Sequence, residues 1–151
     1  MPDRSVPHPN AFRAVMIGLG LVQTVNGLWA LLAPRSFYDD FPVGRGWVME
    51  YPAYNSHLIQ DYGAFTLGAV VALVLAAIWL DRRVVQLAIV SWLVGSTIHL
   101  ISHIATVGRF GTADAIGNLG GLTLFVVIPG WLLFKSRERS VGAPAENPGR
   151  A

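Results

Sequence analysis

Residues 57–80 read HLIQDYGAFTLGAVVALVLAAIWL, and no position from Tyr62 to Leu80 carries a charge. An α-helix rises about 1.5 Å per residue, so about 20 such residues cross a hydrocarbon core of roughly 30 Å. A helix on the surface of a soluble protein needs a polar face. This stretch is apolar nearly all round, and it reads as a membrane-spanning helix.

Three further stretches repeat the pattern, at about residues 14–32, 84–104 and 113–134. Of the 151 residues, 53% are apolar and only 13% charged, against about 25% charged in a typical soluble domain. The expected fold class is therefore all-α, an integral membrane four-helix bundle. The first stretch is too long for the apolar core of a signal peptide, and no small-residue cleavage site follows it. It is read as a helix of the mature protein.

The expected organisation has a disordered N-terminal tail over residues 1–10 and a transmembrane domain over 11–135. A long connection over 33–56 lies within that domain, and a disordered tail rich in Pro, Gly and polar residues covers 136–151. Pro42 and Pro52, with Gly44 and Gly46, argue against one continuous helix in the connection. Pro129-Gly130 predicts a kink near the end of the fourth span.

Four spans put both termini on one side. That side also holds the link Asp81–Arg83, and its basic residues are Arg4, Arg13, Arg82, Arg83, Lys135, Arg137, Arg139 and Arg150. The other side has Arg35, Arg45 and Arg109. The positive-inside rule places the N and C termini in the cytoplasm and residues 33–56 outside. Trp29, Trp79 and Trp131 lie near span ends, as interface anchors do. The basic residues flank spans and the net charge is only +2, so they form no nucleic-acid footprint. The expected location is a membrane, multi-pass, with the lipid bilayer and a membrane-protein partner or second copy as neighbours.

Topology then sets the depth of the polar residues. His57 and Asp61 fall in the first two turns of the second span, at its outer end. His103 is at the outer end of the third span, with His99 one turn deeper. Asp114 and Asn118 begin the fourth. His57/Asp61 and His99/His103 are each spaced four apart, so each pair shares a helix face. Trp92, Ser96, His99 and His103 follow a seam, as do Tyr54, His57, Asp61, Phe65 and Gly68. Gly68, Gly117 and Gly121 are expected to permit close backbone approach. Gln23 and Asn26 read as packing polar groups.

Three readings of the cluster remain open. First, His57, Asp61, His99 and His103 chelate a divalent metal, zinc, iron or copper. Asn55, Ser96, Ser102 and Asn118 would orient the imidazoles, and Tyr38, Asp39, Asp40 and Tyr54 would form a mouth or lid. Such a site supports redox or hydrolytic chemistry on a lipophilic substrate. Second, the cluster is a helix-packing polar network in a non-catalytic accessory subunit. Third, His57 and an opposing histidine ligate a haem. No cysteine is present, which excludes disulfides and thiolate ligands. No nucleophile elbow, phosphate-cradling loop or dinucleotide fingerprint occurs.

The segments GLWALLAPRSFYDDFP and DYGAFTLGAVVALVLAA resemble small bacterial four-helix membrane proteins of the DoxX-like kind. The resemblance covers the first two spans and their connection. It implies the four-helix architecture and a bacterial origin, hence a bacterial cytoplasmic (inner) membrane as the expected location, and it assigns no role to the histidines or to Asp61.

Overall fold

The computed structural model describes residues 5–137; residues 1–4 and the tail from 138 lie outside the described residues. Five α-helices follow in order: α1 (Pro9–Leu32), α2 (Pro34–Asp40), α3 (Ser56–Trp79), α4 (Arg82–Ala105) and α5 (Thr112–Lys135). A 3-10 turn, Val107–Arg109, precedes α5. Helices α1, α3, α4 and α5 have 24 residues each, with mean hydropathies of 1.7, 2.0, 1.8 and 1.7. Each is long and apolar enough to cross a membrane. The four predicted spans are thus four helices, with boundaries shifted by one or two residues except at the first.

That first helix begins at Pro9, inside the stretch expected to be a disordered tail. Proline suits the first turn of a helix because its missing N–H has no intrahelical partner there. Ahead of it, Val6 is 3% exposed within the core, and Arg82 donates to the Ser5 carbonyl at 3.3 Å. At the other end, Ser136, expected in the C-terminal tail, is fully buried. Gln86 donates to its hydroxyl at 3.0 Å.

The α3–α4 reversal takes two residues. Leu80 ends α3 in the left-handed region, and the Asp81 side chain caps α4 by accepting from the N–H groups of Arg83 and Val84. Such caps satisfy donors that the first helical turn leaves without partners. The short helix α2 was not anticipated in the connection. Pro34 starts it, and Arg35–Asp39 (2.6 Å) and Ser36–Asp40 (3.0 Å) clamp its exposed side at one-turn spacing. Its inner side buries Phe37.

The core lies at the end of the bundle that carries the termini. Phe12, Met16, Leu73, Val85, Ile89 and Leu132 are each at most 2% exposed there. A smaller cluster of Ala30, Phe37 and Ile59 sits at the opposite, loop end. Between them, α1 and α3 touch backbone to backbone. A Cβ on Gly63 would lie 2.7 Å from the Gly27 carbonyl oxygen and 2.8 Å from the Leu31 nitrogen. The close approach therefore belongs to Gly27 and Gly63, which the sequence reading did not single out. A Cβ on Gly68 or Gly121 would meet nothing within 4 Å, and one on Gly117 only the Trp47 ring at 3.5 Å.

Helix α4 is held differently along its length. Its buried residues, Val85, Ala88 and Ile89, all fall in its first turns. Nearer its middle, Trp92 donates to the Phe125 carbonyl of α5 at 2.8 Å. Helix α5 runs without interruption through Pro129 and buries only Asn118, Pro129 and Leu132. All four long helices are closed at the termini end; toward the loop end α1 and α3 stay in close contact while α4 is uncovered.

Candidate functional site at the loop end

The segment from Phe41 to Asn55 is a strap that leaves α2 and docks on the ends of α4 and α5. Its Arg45 guanidinium pairs with the Asp114 carboxylate at the start of α5. The Trp47 indole N–H donates to the same oxygen at 2.6 Å. That carboxylate hydrogen bond holds the Arg45 pKa above its ordinary value. Further along, Arg109 donates to the Glu50 carbonyl at 3.0 Å and lies 5.3 Å over the Tyr51 ring. The Tyr51 hydroxyl is 2.7 Å from Thr106 Oγ1 and 3.5 Å from His103 Nδ1. Gly46 makes the strap's turn with φ of +66°. A Cβ there would also crowd the Asp39 carbonyl oxygen at 3.1 Å, so both the backbone and the space favour glycine.

The expected metal residues divide into two groups. His57 Nε2 and Asp61 Oδ2 are 3.4 Å apart on α3, with side chains 86% and 47% exposed. His99 and His103 adjoin each other on α4, ring centroids 4.5 Å apart. Among the described residues no three His, Cys, Asp or Glu side chains come together as a metal-binding group. The shared depth read from the sequence does not become shared space, because the α3 and α4 faces that carry these residues are uncovered at the loop end. Phe65 on the α3 face is 81% exposed.

The helix faces explain this separation. Near the termini end, Ala69 and Ala72 of α3 and Ala88 and Ser91 of α4 line one small pocket of about 90 Å³. Helical spacing carries those faces toward the loop end as Phe65 and Asp61 on α3, and as Gly95 and His99 on α4. Phe65, Gly95 and His99 are exposed and Asp61 is half-exposed. The faces that meet at one end are uncovered at the other.

The residues expected to orient the imidazoles do other work. Asn55 caps α3, its Oδ1 accepting from Leu58 N–H at 3.1 Å. The Ser96 and Ser102 hydroxyls donate one turn back to the Trp92 and Ile98 carbonyls, at 2.8 and 3.0 Å. Asn118 is the exception: it lies against the His103 imidazole, is 6% exposed, and its Oδ1 accepts no hydrogen bond.

The expected mouth residues stay on the α2 side. Tyr38 and Tyr54 meet edge-on at 5.3 Å, with the Arg35 guanidinium over both rings. Asp39 and Asp40 accept bonds within α2. The cover over α4 and α5 is instead made by Arg45, Trp47 and Tyr51 of the same connection. The signal available was the density of aromatic and basic residues in the connection. Trp29, expected at a lipid interface, is half-buried and donates to Ser36 Oγ at 3.2 Å. Trp79 and Trp131 are exposed at 59% and 53%. Gln23 and Asn26 bond to each other at 2.9 Å.

No protein-family model, curated protein or solved structure matches the chain.

Proposed function

We propose that this chain is a multi-pass subunit of a bacterial cytoplasmic membrane, with both termini in the cytoplasm. In this reading it packs against another membrane-spanning chain along α3. The observation that carries the reading is the outward stripe His57, Asp61, Phe65 and Gly68. An ionisable carboxylate and imidazole stand exposed on a helix apolar enough to cross a membrane. A charged side chain facing lipid costs about 2.5–3.5 kcal/mol at the bilayer centre and less near the interface. A partner that supplies a hydrogen-bond donor or cation at the depth of Asp61 offsets that cost.

Gly68 adds to the argument. Among the described residues nothing needs its missing side chain, since a Cβ there meets no atom within 4 Å. A small residue on an unoccupied face of a membrane helix suits close approach by a second helix. The partner expected is a transmembrane helix bearing Arg, Lys, Asn or Gln.

The experiment is purification of the full-length chain from its native membrane in mild detergent, alongside Gly68→Leu and Asp61→Leu. One partner should accompany the wild type in constant ratio. Both variants should lose it while keeping the thermal stability of the isolated chain. Retention of the same partner by both variants, or a wild-type chain that migrates alone, would count against the proposal. For the haem reading, no observation favours His57 as an axial ligand opposite His99 or His103.

A further inference from the structure

We propose that His99, His103 and Asn118, covered by Tyr51, form a site for one divalent transition-metal ion of borderline softness, such as zinc, copper or nickel. The site is independent of the α3 stripe and uses neither His57 nor Asp61.

The order of protons around His103 supports it. The Thr106 hydroxyl donates to the Ser102 carbonyl at 2.9 Å. Its one proton is then spent, so it accepts from the Tyr51 hydroxyl at 2.7 Å. The Tyr51 proton is spent in turn, so toward His103 Nδ1, at 3.5 Å, the phenol oxygen accepts. This order satisfies every donor in the chain. It places the imidazole proton on Nδ1 and leaves the lone pair on Nε2, the tautomer that binds metal through Nε2.

Asn118 lies against the same imidazole, and its buried Oδ1 has no hydrogen-bond partner. A buried polar atom without a partner is unfavourable, and a cation held between the imidazole and Oδ1 removes that cost.

His99 supplies the third donor. Metal–nitrogen bonds of about 2.0–2.1 Å, with the ring centre about 1.1 Å beyond, put two imidazole centroids on one tetrahedral ion about 5 Å apart. The observed separation is 4.5 Å, with the rings at 72° to each other. Two imidazoles and an amide oxygen are neutral donors, which select zinc, copper or nickel over magnesium and calcium.

The test is titration of the full-length protein in detergent with Zn²⁺ by calorimetry, and with Co²⁺ by visible absorption. One ion per chain is expected, with a tetrahedral cobalt spectrum and no competition from Mg²⁺ or Ca²⁺. His99→Ala and His103→Ala should each weaken binding at least tenfold, and Tyr51→Phe on the order of tenfold through the ring it orients. His57→Ala combined with Asp61→Asn should leave the affinity within twofold. No binding by the wild type, binding indifferent to His99→Ala and His103→Ala, or equal loss with His57→Ala/Asp61→Asn would each overturn the proposal. His99 is exposed and its truncation removes no core contact, so loss of binding there is not a folding effect. The α3 proposal is tested by different residues and stands or falls separately.

Discussion

Asn118 carries the sharpest expectation of any single residue. Its Oδ1 is buried without a hydrogen bond, so an apolar residue of similar shape removes a desolvation cost of about 1–3 kcal/mol. Asn118→Leu should raise the melting temperature of the metal-free protein and abolish any further rise on adding Zn²⁺. A fall in the metal-free melting temperature would mean that Oδ1 has a partner in solution. Asp114 works in the opposite direction. It accepts from both Arg45 and Trp47, and such charge-assisted bonds are the stronger ones. Asp114→Asn should weaken strap docking, because the amide lacks the charge that Arg45 and Trp47 both face. The check is limited trypsin digestion, with faster cleavage after Arg45 in the variant. Asp114 was visible in the sequence as a residue at the end of a span. Its two strap partners are 69 and 67 residues away, and no local pattern pairs them.

At the scale of the helix, two glycines of α3 should behave in opposite ways. Gly63 presses on the backbone of α1, and a Cβ there collides with atoms that no rotamer change can move. Gly63→Val should cost at least about 1–3 kcal/mol, the usual range for overpacking, and it should be read as a lower melting temperature in detergent. Gly68→Val should leave the melting temperature unchanged, since that face is open. Equal loss in both would mean that α3 is rotated about its axis relative to the arrangement described. Helix existence and length were legible because a run of apolar residues is a one-dimensional property. Rotation was not. Helices that are apolar all round carry little amphipathic signal, so their orientation is set by packing against neighbours rather than by avoidance of water. That is why the seam drawn through His57, Asp61 and Phe65 faces outward, and why the pairing glycines were misassigned.

For the molecule as a whole, the proposed orientation has a direct check, because the chain has no native cysteine. A cysteine in place of Gly44 in the strap should react with a membrane-impermeant maleimide added outside intact cells. One in place of Arg137 should react only after the membrane is opened. The reverse pattern would invert the topology and place the His99/His103 pair on the cytoplasmic side. The architecture gives this orientation a consequence. The core is concentrated at the termini end, and the loop end is tied by polar and aromatic contacts of the strap. Local opening should therefore begin at the strap and the loop ends of α4 and α5. Hydrogen exchange should be faster at Tyr51 and Thr106 than at Val85 or Ile89.

The amino-acid sequence by itself determined that four helices of membrane-crossing length form, where each begins and ends to within a few residues for three of them, and at which end of its helix each histidine and acid sits. Those properties follow from composition along a line: apolar run length and capping residues. Only the tertiary structure decided which of those residues meet. It set His57 and Asp61 on an open face, brought Gly27 against Gly63, laid Arg45, Trp47 and Tyr51 over α4 and α5, and buried Asn118 against His103. Such contacts depend on how helices rotate and splay against one another, and in a chain apolar on every side only packing across long sequence separations sets that rotation.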